Sequence, residues 1–574
     1  MRTVEIGVYL NKFIARLNAF YSVHSAPQME SRLNSLPLDV RTEATELLSR
    51  LPAGDREEHL EAFEMQQNRQ LCRDLIPALA VYVKANGGGE PGNRKLPVPT
   101  VAPRASEVGR SSFAAAAAPR AIVTEKPIKT FNEALPTQPG VLSDKRATDI
   151  SVFSVVQEGY RCMDLSVAKR AVNLARRTES IGVDLMKDLL AIDEGLIPGK
   201  IGSGGAAQDL AVIGRVVNEE NETPLSVHSI LIEGDVTRSL GRRAKLYVSE
   251  CNGDYALFPG QVIGCVGRTL RGGEEFVATR VLSGLSLPET PTVIPPAIDS
   301  RPRYAEGPAH LTIASGPFTP KDGLNFQVLS DLAKYVSDYK PHCLVLLGPF
   351  LDAGNSAVAS GCVFGPKGEP LAFEQVYDLE ILPRLESIGK VCIDSDCKLV
   401  IVPALSELCG CDHPLPQPPL TVGKTGVDWS KVKATFASNP CVIKINQDME
   451  IACTSADPLM PLVSEMLLSQ SNKPRVDACL EQLLRQRNWF PSGACPIEPS
   501  LADKLEINKQ GVFIFPSQLV QFAKEVGGRV FLNPGTACKG SGGSIANLYV
   551  YPHDEEKGRI GVVARVKAEI LKIN

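Results

Sequence analysis

Apolar runs and helical spacings alternate along the chain from about residue 305 onward. The apolar run at 310–316 precedes a helical spacing at 326–340, and a second apolar run follows at 343–350. This order predicts a βαβ unit with two parallel strands. The other elements predicted here are strands at 398–403, 442–446, 451–454, 529–532, 546–551 and 561–566 and helices at 460–469, 476–487 and 516–525.

A different pattern, short apolar runs separated by turn residues, fills the region before residue 300. Turn signals stand at Asn252-Gly-Asp254 and at Gly272-Gly273, and a helical spacing at 166–192 precedes the runs. Five short strands within about 75 residues are typical of an OB-type β-barrel. They are predicted at 210–217, 227–234, 243–249, 261–266 and 275–282.

The N-terminal quarter of the chain divides into two segments of opposite character. Residues 57–84 place Leu60, Phe63, Leu71 and Leu75 at helical intervals, which predicts a small helical domain over 1–86. Residues 87–149 are rich in proline and poor in large apolar side chains, which predicts a disordered linker. The predicted domains are thus 1–86 helical, 87–149 linker, 150–300 OB domain with its preceding helical segment, and 301–574 a large α/β domain.

Composition narrows the class of protein. No apolar run approaches the ~18 residues of a membrane span, and the N-terminus is interrupted by charges, so we expect no signal peptide or membrane anchor. The 15 cysteines are irregularly spaced, and we expect reduced thiols inside the cell. The net charge is −4, with a basic excess only in the predicted linker. Since phosphate neutralisation supplies most non-specific affinity for nucleic acid, we expect weak or no direct DNA binding.

The predicted strand ends lack residues that could do chemistry. In open α/β sheets the active site lies just beyond the carboxyl ends of the strands. Those ends read Ser315-Gly-Pro-Phe318 and Gly348-Pro-Phe350, and proline and phenylalanine neither bind a metal nor move a proton. Asp352, two residues further on, is either a lone surviving ligand or a turn cap, and the turn cap is favoured.

Several strings together resemble the B-subunit family of DNA polymerase alpha-primase. The resemblance covers the chain from about residue 205 to its end. Over the helical N-terminal region, only the order of domains matches. In that family an OB domain packs on a calcineurin-like phosphoesterase domain whose active site has been lost. The strings are Leu257-Phe-Pro-Gly-Gln-Val-Ile263, Ala314-Ser-Gly-Pro-Phe-Thr319, Leu346-Leu-Gly-Pro-Phe-Leu-Asp352, Ser438-Asn-Pro-Cys441, Thr454-Ser-Ala-Asp457, Asn533-Pro-Gly535 and Lys539-Gly540.

The resemblance implies a fold, a role and a set of partners. The fold is multidomain, with an OB-type barrel packed on an α/β calcineurin-like, inactive phosphoesterase domain. The role is that of a non-catalytic nuclear protein, without cofactor or metal, that binds the C-terminal domain of the catalytic subunit of DNA polymerase alpha and supports initiation of DNA replication. Contact with primase would be indirect, and other replication proteins would bind the N-terminal domain. The surface that binds the partner is unknown.

The residues at the predicted strand ends support the expectation that the phosphoesterase domain is inactive. Active phosphoesterases of this superfamily hold two metals with clustered Asp, His and Asn ligands at successive strand ends. The third such position here reads Ala404-Leu-Ser-Glu-Leu-Cys-Gly-Cys-Asp-His413. The degenerate positions are Ser315, Gly316, Pro317, Phe318, Gly348, Pro349, Phe350, Asp352, Asn533, Pro534 and Gly535. An active metal-dependent phosphodiesterase or exonuclease remains one alternative, and the small subunit of polymerase delta or epsilon is another.

Four smaller features carry competing interpretations. Cys409, Cys411 and His413 could bind zinc, but a structural zinc site needs four ligands in paired clusters, so a surface loop is favoured. Asp457 is predicted to cap the helix that follows it. The glycine-rich stretches at 199–205 and 539–543 lack the order of a phosphate-binding loop and are read as flexible connections. The densest basic cluster of the barrel is Arg238, Arg242, Arg243 and Lys245, and because aromatic side chains are few, the barrel is expected to bind protein.

Overall fold

The computed structural model describes residues 122–136 and 148–573 with short gaps, of which 289–306 and 421–433 are the longest, together with residues 42 and 45–49. The helical domain predicted at 1–86 and most of the linker predicted at 87–149 lie outside the described residues. Among the residues described, no helix is long and apolar enough to cross a membrane.

The secondary structure alternates between short strands and helices over the whole described region. The strands are β1 Ile122–Val123, β2 Lys129–Phe131, β3 Ile150–Ser154, β4 Ile197–Pro198, β5 Leu210–Asn218, β6 Ile230–Glu233, β7 Arg243–Tyr247, β8 Ala256–Leu257, β9 Val262–Leu270, β10 Glu275–Leu282, β11 Ala309–Ser315, β12 Cys343–Leu347, β13 Val363–Phe364, β14 Pro370–Leu371, β15 Lys398–Val402, β16 Ala434–Phe436, β17 Cys441–Ile445, β18 Met449–Cys453, β19 Leu467–Leu468, β20 Val512–Ile514, β21 Phe522–Val526, β22 Arg529–Asn533, β23 Gly543–Val550 and β24 Val566–Ile573. The α-helices are α1 Val167–Ile192, α2 Val236–Ser239, α3 Gln327–Tyr339, α4 Ser356–Ala359, α5 Phe373–Val376, α6 Leu382–Asp394, α7 Met460–Glu465, α8 Arg475–Arg485 and α9 Val562–Arg565. The 3-10 helices span Arg271–Gly273 and Pro499–Leu505, and a π-helix spans Tyr377–Ile381.

Strands β5, β6, β7, β10 and β9 form a closed barrel. They pair in this order, and β9 pairs with β5 to close the ring. Apolar side chains such as Val212, Ile232 and Phe276 fill the interior, while α1 packs on the outside through Leu185 and Leu189. The OB-type barrel predicted from the five short strands is therefore confirmed.

The rest of the described chain forms two sheets packed face to face between two layers of helices. The first sheet has the order β1-β24-β23-β11-β12-β15-β16, with β2 also paired to β24, and the second has the order β21-β22-β20-β18-β17-β3. Helices α3 and α6 cover the outer face of the first sheet. Helices α7 and α8 cover the outer face of the second. The predicted unit β11-α3-β12 is confirmed, because β11 and β12 pair in parallel.

The continuous apolar runs follow from burial on both faces of each sheet. On β11, Leu311 and Ile313 lie in the core between the sheets, while Ala314 lies in the core beneath α3 and α6. Successive side chains of a strand point to opposite faces, so a strand covered on both sides needs apolar residues throughout.

The segment Lys126–Pro136, which we call the strap, corrects the prediction of a linker without structure up to residue 149. Its strand β2 pairs with β24, and Asn132 Nδ2 donates to the Val563 carbonyl at 3.0 Å. Lys567 Nζ reaches the Leu135 carbonyl at 2.8 Å. The prediction was wrong here because pairing uses backbone groups, which leave no trace in composition.

The boundary placed at residue 150 between linker and OB domain is also wrong. Strand β3 is antiparallel to β17 and extends the second sheet of the two-sheet body. None of its residues is fully buried, and Phe153 is exposed, as expected for an edge strand, so its sequence carries little signal. The OB domain therefore begins after β3, with α1.

Two predictions near the C-terminal end are wrong in type. The helix predicted at 516–525 is a loop followed by β21, because Phe522 and its neighbours pair with β22. The strand predicted at 561–566 is the short helix α9, which leads into β24. The helix predicted at 476–487 is confirmed as α8, and the one predicted at 460–469 ends early at Glu465.

Candidate functional site

The carboxyl ends of β11, β12 and β15 meet at one edge of the first sheet, where the motif positions predicted from the sequence to be degenerate lie. The Gly316 amide donates to the Leu347 carbonyl at 2.7 Å, and the Gly348 amide donates to the Val402 carbonyl at 2.8 Å. The Ser315 carbonyl accepts from the Ala537 amide at 2.7 Å. Backbone hydrogen bonds therefore link the ends of neighbouring strands. The Gly316–Pro317 and Gly348–Pro349 peptide bonds are both cis.

Phenylalanine side chains fill the space beyond these strand ends. Phe318 and Phe350 are fully buried, and their rings stack with centroids 5.2 Å apart. Gly316 has no room for a side chain, since an added Cβ would collide with the Pro349 carbonyl oxygen. This edge is therefore packed as core and leaves no open coordination position between the two strand ends.

Glu407 is a buried acidic residue beside this packing, and its carboxyl group accepts hydrogen bonds from backbone amides. Its Oε2 accepts from the Phe350 amide and its Oε1 from the Leu351 amide, both at 2.8 Å. The residue is 5% exposed. The pKa of the Glu407 carboxyl is raised to about 8, mainly by burial and to a lesser extent by the nearby Asp352, while the two amide hydrogen bonds oppose the shift.

Asp352 is a turn residue in the structure. Its Oδ1 accepts from the Gly354 amide at 3.0 Å, and its carbonyl accepts from the Asn355 amide at 3.0 Å. The side chain therefore closes a turn, which agrees with the favoured interpretation of Asp352.

Two buried asparagines act in the same way at neighbouring strand ends. Asn439 Oδ1 accepts from Thr454 Oγ1 at 2.7 Å, and its Nδ2 donates to Gln417 Oε1 at 2.8 Å. Asn533 Oδ1 accepts from the Ser517 amide at 3.0 Å and from the Gly535 amide at 2.9 Å. Pro534 is held by Ser544, whose hydroxyl donates to its carbonyl at 2.7 Å. The side-chain amides of Asn439 and Asn533 thus cross-link loops through hydrogen bonds of both their oxygen and their nitrogen atoms.

The described histidines of this region do not gather at the strand ends. His310 and His342 lie at the opposite, amino ends of β11 and β12, where the His310 amide donates to His342 Nδ1 at 3.0 Å. His310 stacks on Tyr549. Within the described part of the chain, no group of three or more His, Cys, Asp or Glu side chains is arranged to hold a metal ion.

The structure describes only some of the candidate zinc, helix-cap and phosphate-loop residues named from the sequence. Of the three candidate zinc residues, Cys409 and Cys411 lie outside the described residues, and only His413 is among those described. Asp457 Oδ1 accepts hydrogen bonds from the Leu459 amide at 2.8 Å and the Met460 amide at 3.2 Å at the start of α7. The N-cap residue itself is Leu459, so Asp457 lies two residues before the predicted capping position. Lys539 and Gly542 exchange backbone hydrogen bonds, and strand β23 rather than a helix begins at Gly543.

Much of the basic cluster of the barrel is neutralised by acidic neighbours. Arg243 Nε lies 2.7 Å from Glu233 Oε2, and Glu233 also pairs with Arg215 at 2.6 Å. Lys245 pairs with Glu219. Paired basic residues do not form the continuous basic groove that single-stranded nucleic acid needs.

The junction between barrel and two-sheet body depends on residues whose role the sequence did not reveal. Gln261 Nε2 donates to the Ser283 carbonyl at 2.6 Å and to Gln482 Oε1 of α8 at 3.0 Å. Phe258 leaves the barrel and lies in the core beneath α7 and α8. The string Leu-Phe-Pro-Gly-Gln, noted only for its resemblance, is thus the connection between the two parts.

Two family profiles match the chain in the regions just described. The profile for the OB domain of the B subunit of DNA polymerase alpha matches residues 173–284, which include most of α1 and the barrel. The profile for the B subunit of DNA polymerase alpha/epsilon matches residues 311–524. The chain belongs to the B-subunit family of DNA polymerase alpha.

Relatives from distant eukaryotes match the chain over similar lengths. The rat (Rattus norvegicus) protein is 30% identical over 392 residues, which cover 64% of this chain and 59% of the rat protein. The Schizosaccharomyces pombe protein is 29% identical over 398 residues, covering 64% of this chain and 65% of its own length. Each is described as the B subunit of DNA polymerase alpha. The match thus spans less than two thirds of these relatives' length.

Proposed function

We propose that this chain is a non-catalytic accessory subunit of a DNA polymerase alpha-primase complex. In this role it binds the C-terminal domain of the catalytic subunit in the nucleus and supports initiation of replication. The observation that carries the proposal is that Glu407, Asn439 and Asn533 bind backbone amides or loop side chains at the strand ends of a chain in the B-subunit family.

The two-sheet body is proposed to be a calcineurin-like phosphoesterase domain that has lost its activity. Two facing sheets covered by helices, with parallel strands ending at one edge, support this assignment. The domain division is then 1–86, 87–121, the barrel with α1 from 166 to about 300, and a phosphoesterase domain that combines 122–154 with 301–574. Other replication proteins are proposed to bind the N-terminal domain.

An active phosphodiesterase is the alternative from another class. Two metals about 3.5–4 Å apart need several converging ligands, and among the described strand-end residues Phe318 and Phe350 occupy the space instead. Metal analysis of the purified chain, together with a nuclease assay in manganese, tests this point. We expect no stoichiometric metal and no hydrolysis above a blank. Two bound metals with activity would overturn the proposal.

The second alternative is the small subunit of polymerase delta or epsilon. The profile that covers the barrel carries the alpha name alone, whereas the profile over 311–524 is shared between alpha and epsilon. The match in the barrel therefore supports alpha.

Co-expression with the C-terminal domains of the catalytic subunits of polymerases alpha, delta and epsilon tests both partner and class. We expect a complex that survives gel filtration with the alpha domain only. Co-purification with the delta or epsilon domain instead would assign the chain to that polymerase, and no complex with any of them would contradict an accessory role.

A further inference from the structure

Strand β3 lies at the edge of the second sheet and directs a row of backbone groups away from its neighbour β17. The Asn446 amide donates to the Asp149 carbonyl at 2.8 Å, so the backbone of residue 149 faces β17. Because backbone groups alternate in direction along an antiparallel strand, those of Ile150, Val152 and Ser154 face outward.

Most of these outward groups are available for hydrogen bonding. Among the described strands, β3 pairs with β17 alone. Lys398 Nζ donates to the outward Ile150 carbonyl at 2.9 Å. The amides of Val152 and Ser154 and the carbonyl of Val152 have no hydrogen-bond partner among the described residues. Their spacing of two residues is that of a strand ready to pair with a second extended backbone.

The sequence of β3 does nothing to prevent such pairing. Edge strands that must stay free commonly carry a charged residue or a proline, which blocks the addition of a further strand. Strand β21, at the opposite edge of the same sheet, carries Lys524 and Glu525. Strand β3 reads Ile-Ser-Val-Phe-Ser and carries neither a charge nor a proline over its five residues.

Phe153 offers a side-chain contact beside the open edge. Val152 packs against the core between the sheets, so Phe153 lies on the other face of the strand. It stands opposite Val442 of β17 and is 53% exposed. Aromatic and β-branched side chains on neighbouring strands stabilise each other. An added strand would therefore gain from such a residue next to Phe153.

A cavity of about 400 Å³ adjoins the start of β3 and is lined by residues of both sheets. Ile150 lines it from β3, Lys398 from β15 and Thr435 from β16. Since Lys398 Nζ reaches the outward carbonyl of Ile150, the cavity lies on the open side of the strand. Asp149 and Asp396 also line it, so it suits a long polar side chain better than an apolar one.

We propose that β3 binds an extended segment of a partner protein, which adds a strand to the edge of the second sheet. Main-chain hydrogen bonds to Val152 and Ser154 supply affinity, and Phe153 and the cavity select alternate side chains of the segment. A helical ligand is a poorer fit, because its own backbone groups are already paired. The site lies at the amino ends of β12 and β15, away from the strand ends described above.

A fluorescent peptide of seven residues tests the proposal by anisotropy on the full chain. It alternates valine with threonine and carries glutamine at both ends. Its control is the same peptide with every amide N-methylated, which cannot donate hydrogen bonds. We expect the control to bind about tenfold more weakly or less, because the bonds to the edge are lost. Equal binding of the two peptides overturns the proposal.

Val152→Pro is the variant aimed at the backbone. The Val152 amide faces away from β17, so proline removes an outward donor without breaking a bond of the sheet. Phe153→Lys keeps every backbone group and places a charge on the edge. Each variant should bind the peptide about tenfold more weakly or less. Leu379→Lys, at an exposed leucine elsewhere, is the matched control and should not change binding. Thermal unfolding shows which variants fold, and unchanged binding by a folded Phe153→Lys contradicts the proposal.

Hydrogen exchange of the free chain tests the other possible occupants of the edge. The outward amides of Val152 and Ser154 should exchange faster than the Ser151 amide, which faces β17, and the peptide should slow them. Slow exchange without peptide means that this chain covers its own edge. Slow exchange only at high protein concentration, with a dimer in sedimentation, means that a second copy does. Either result overturns a partner protein as the occupant.

The same measurement separates this proposal from the proposed function. If the C-terminal domain of the catalytic subunit slows exchange at Val152 and Ser154, that domain supplies the extended segment, which supports the proposal. If the domain binds without slowing these amides while the peptide does, the segment belongs to another partner, and the proposal is supported again. If the domain does not bind at all, the proposed function fails and the peptide result still decides the role of β3.

Discussion

Single residues at the strand ends make structural hydrogen bonds. Glu407 is an example, because a carboxylate at the end of a parallel strand could act as ligand or base, yet both of its oxygens accept hydrogen bonds from main-chain amides. Its burial has a consequence for stability that depends on pH. The pKa of about 8 in the folded chain lies above the ordinary value of 4.5, so the folded state binds a proton more tightly than the unfolded state.

Glu407 should therefore lower stability as pH rises from about 4.5 to 8, since the unfolded chain ionises first across this window. Each pH unit within the window corresponds to roughly 1.4 kcal/mol. In Glu407→Gln this contribution disappears, and we expect a flatter dependence. Urea unfolding of both proteins at pH 5, 6, 7 and 8 measures the free energy of unfolding at each pH. If the two proteins showed the same dependence of this free energy on pH, burial of Glu407 would not raise its pKa.

Gly316 is a second residue whose identity is dictated by its neighbours. A Cβ at this position would meet the Pro349 carbonyl oxygen, which is backbone and cannot move aside easily. Gly316→Ala should destabilise the chain by about 1–3 kcal/mol or more, as overpacking does. Thermal unfolding measures the loss. Gly204→Ala, with no atom within 4 Å of its added Cβ, is the matched control, and equal midpoints for the two variants would refute the steric argument.

At the scale of elements, the hydrophobic pattern predicts elements buried on both faces and misses those held by backbone bonds. The barrel strands and the unit β11-α3-β12 are predictable because their apolar spacing matches their burial. The hydrophobic pattern did not predict the strap, because backbone pairing with β24 holds β2 in position. Of the candidate site, the sequence reveals the absence of charged and metal-binding residues at Ser315–Phe318 and Gly348–Phe350. The roles of Glu407 and Gln261 could not be predicted, because their hydrogen-bond partners lie far away in sequence.

The junction formed by Gln261 offers a test at this scale. Gln261→Leu keeps the size of the side chain but leaves the Ala256 carbonyl and the Phe258 amide without their partner. Each buried group left unsatisfied costs about 1–3 kcal/mol, so the thermal midpoint should fall and amide exchange in β8 and β19 should accelerate. Gln518→Leu, at an exposed position, should do neither. Unchanged exchange in β8 would mean that Gln261 does not hold the barrel to the body.

For the whole molecule, the compact unit begins well before residue 150. Residues 104–574 belong to one compact unit, and the strap covers β24, whose other side pairs with β23. A fragment of 150–574 should therefore expose the edge of β24 and lose stability or aggregate, while a fragment of 104–574 should not. Light scattering during a thermal ramp compares them. Identical behaviour of the two fragments would mean that the strap contributes nothing to the fold.

The pairing of the strap with β24 also bears on how the chain is made. Asn132 and its acceptor Val566 are 434 positions apart, and a ribosome adds about 5–20 residues each second. The strap therefore leaves the exit tunnel tens of seconds before its partner strand exists. During that interval neither the strap nor the first sheet can be completed. Molecular chaperones that bind extended segments would have their longest opportunity at this stage, and a stalled or prematurely released nascent chain would present an open sheet edge to its neighbours on the polysome.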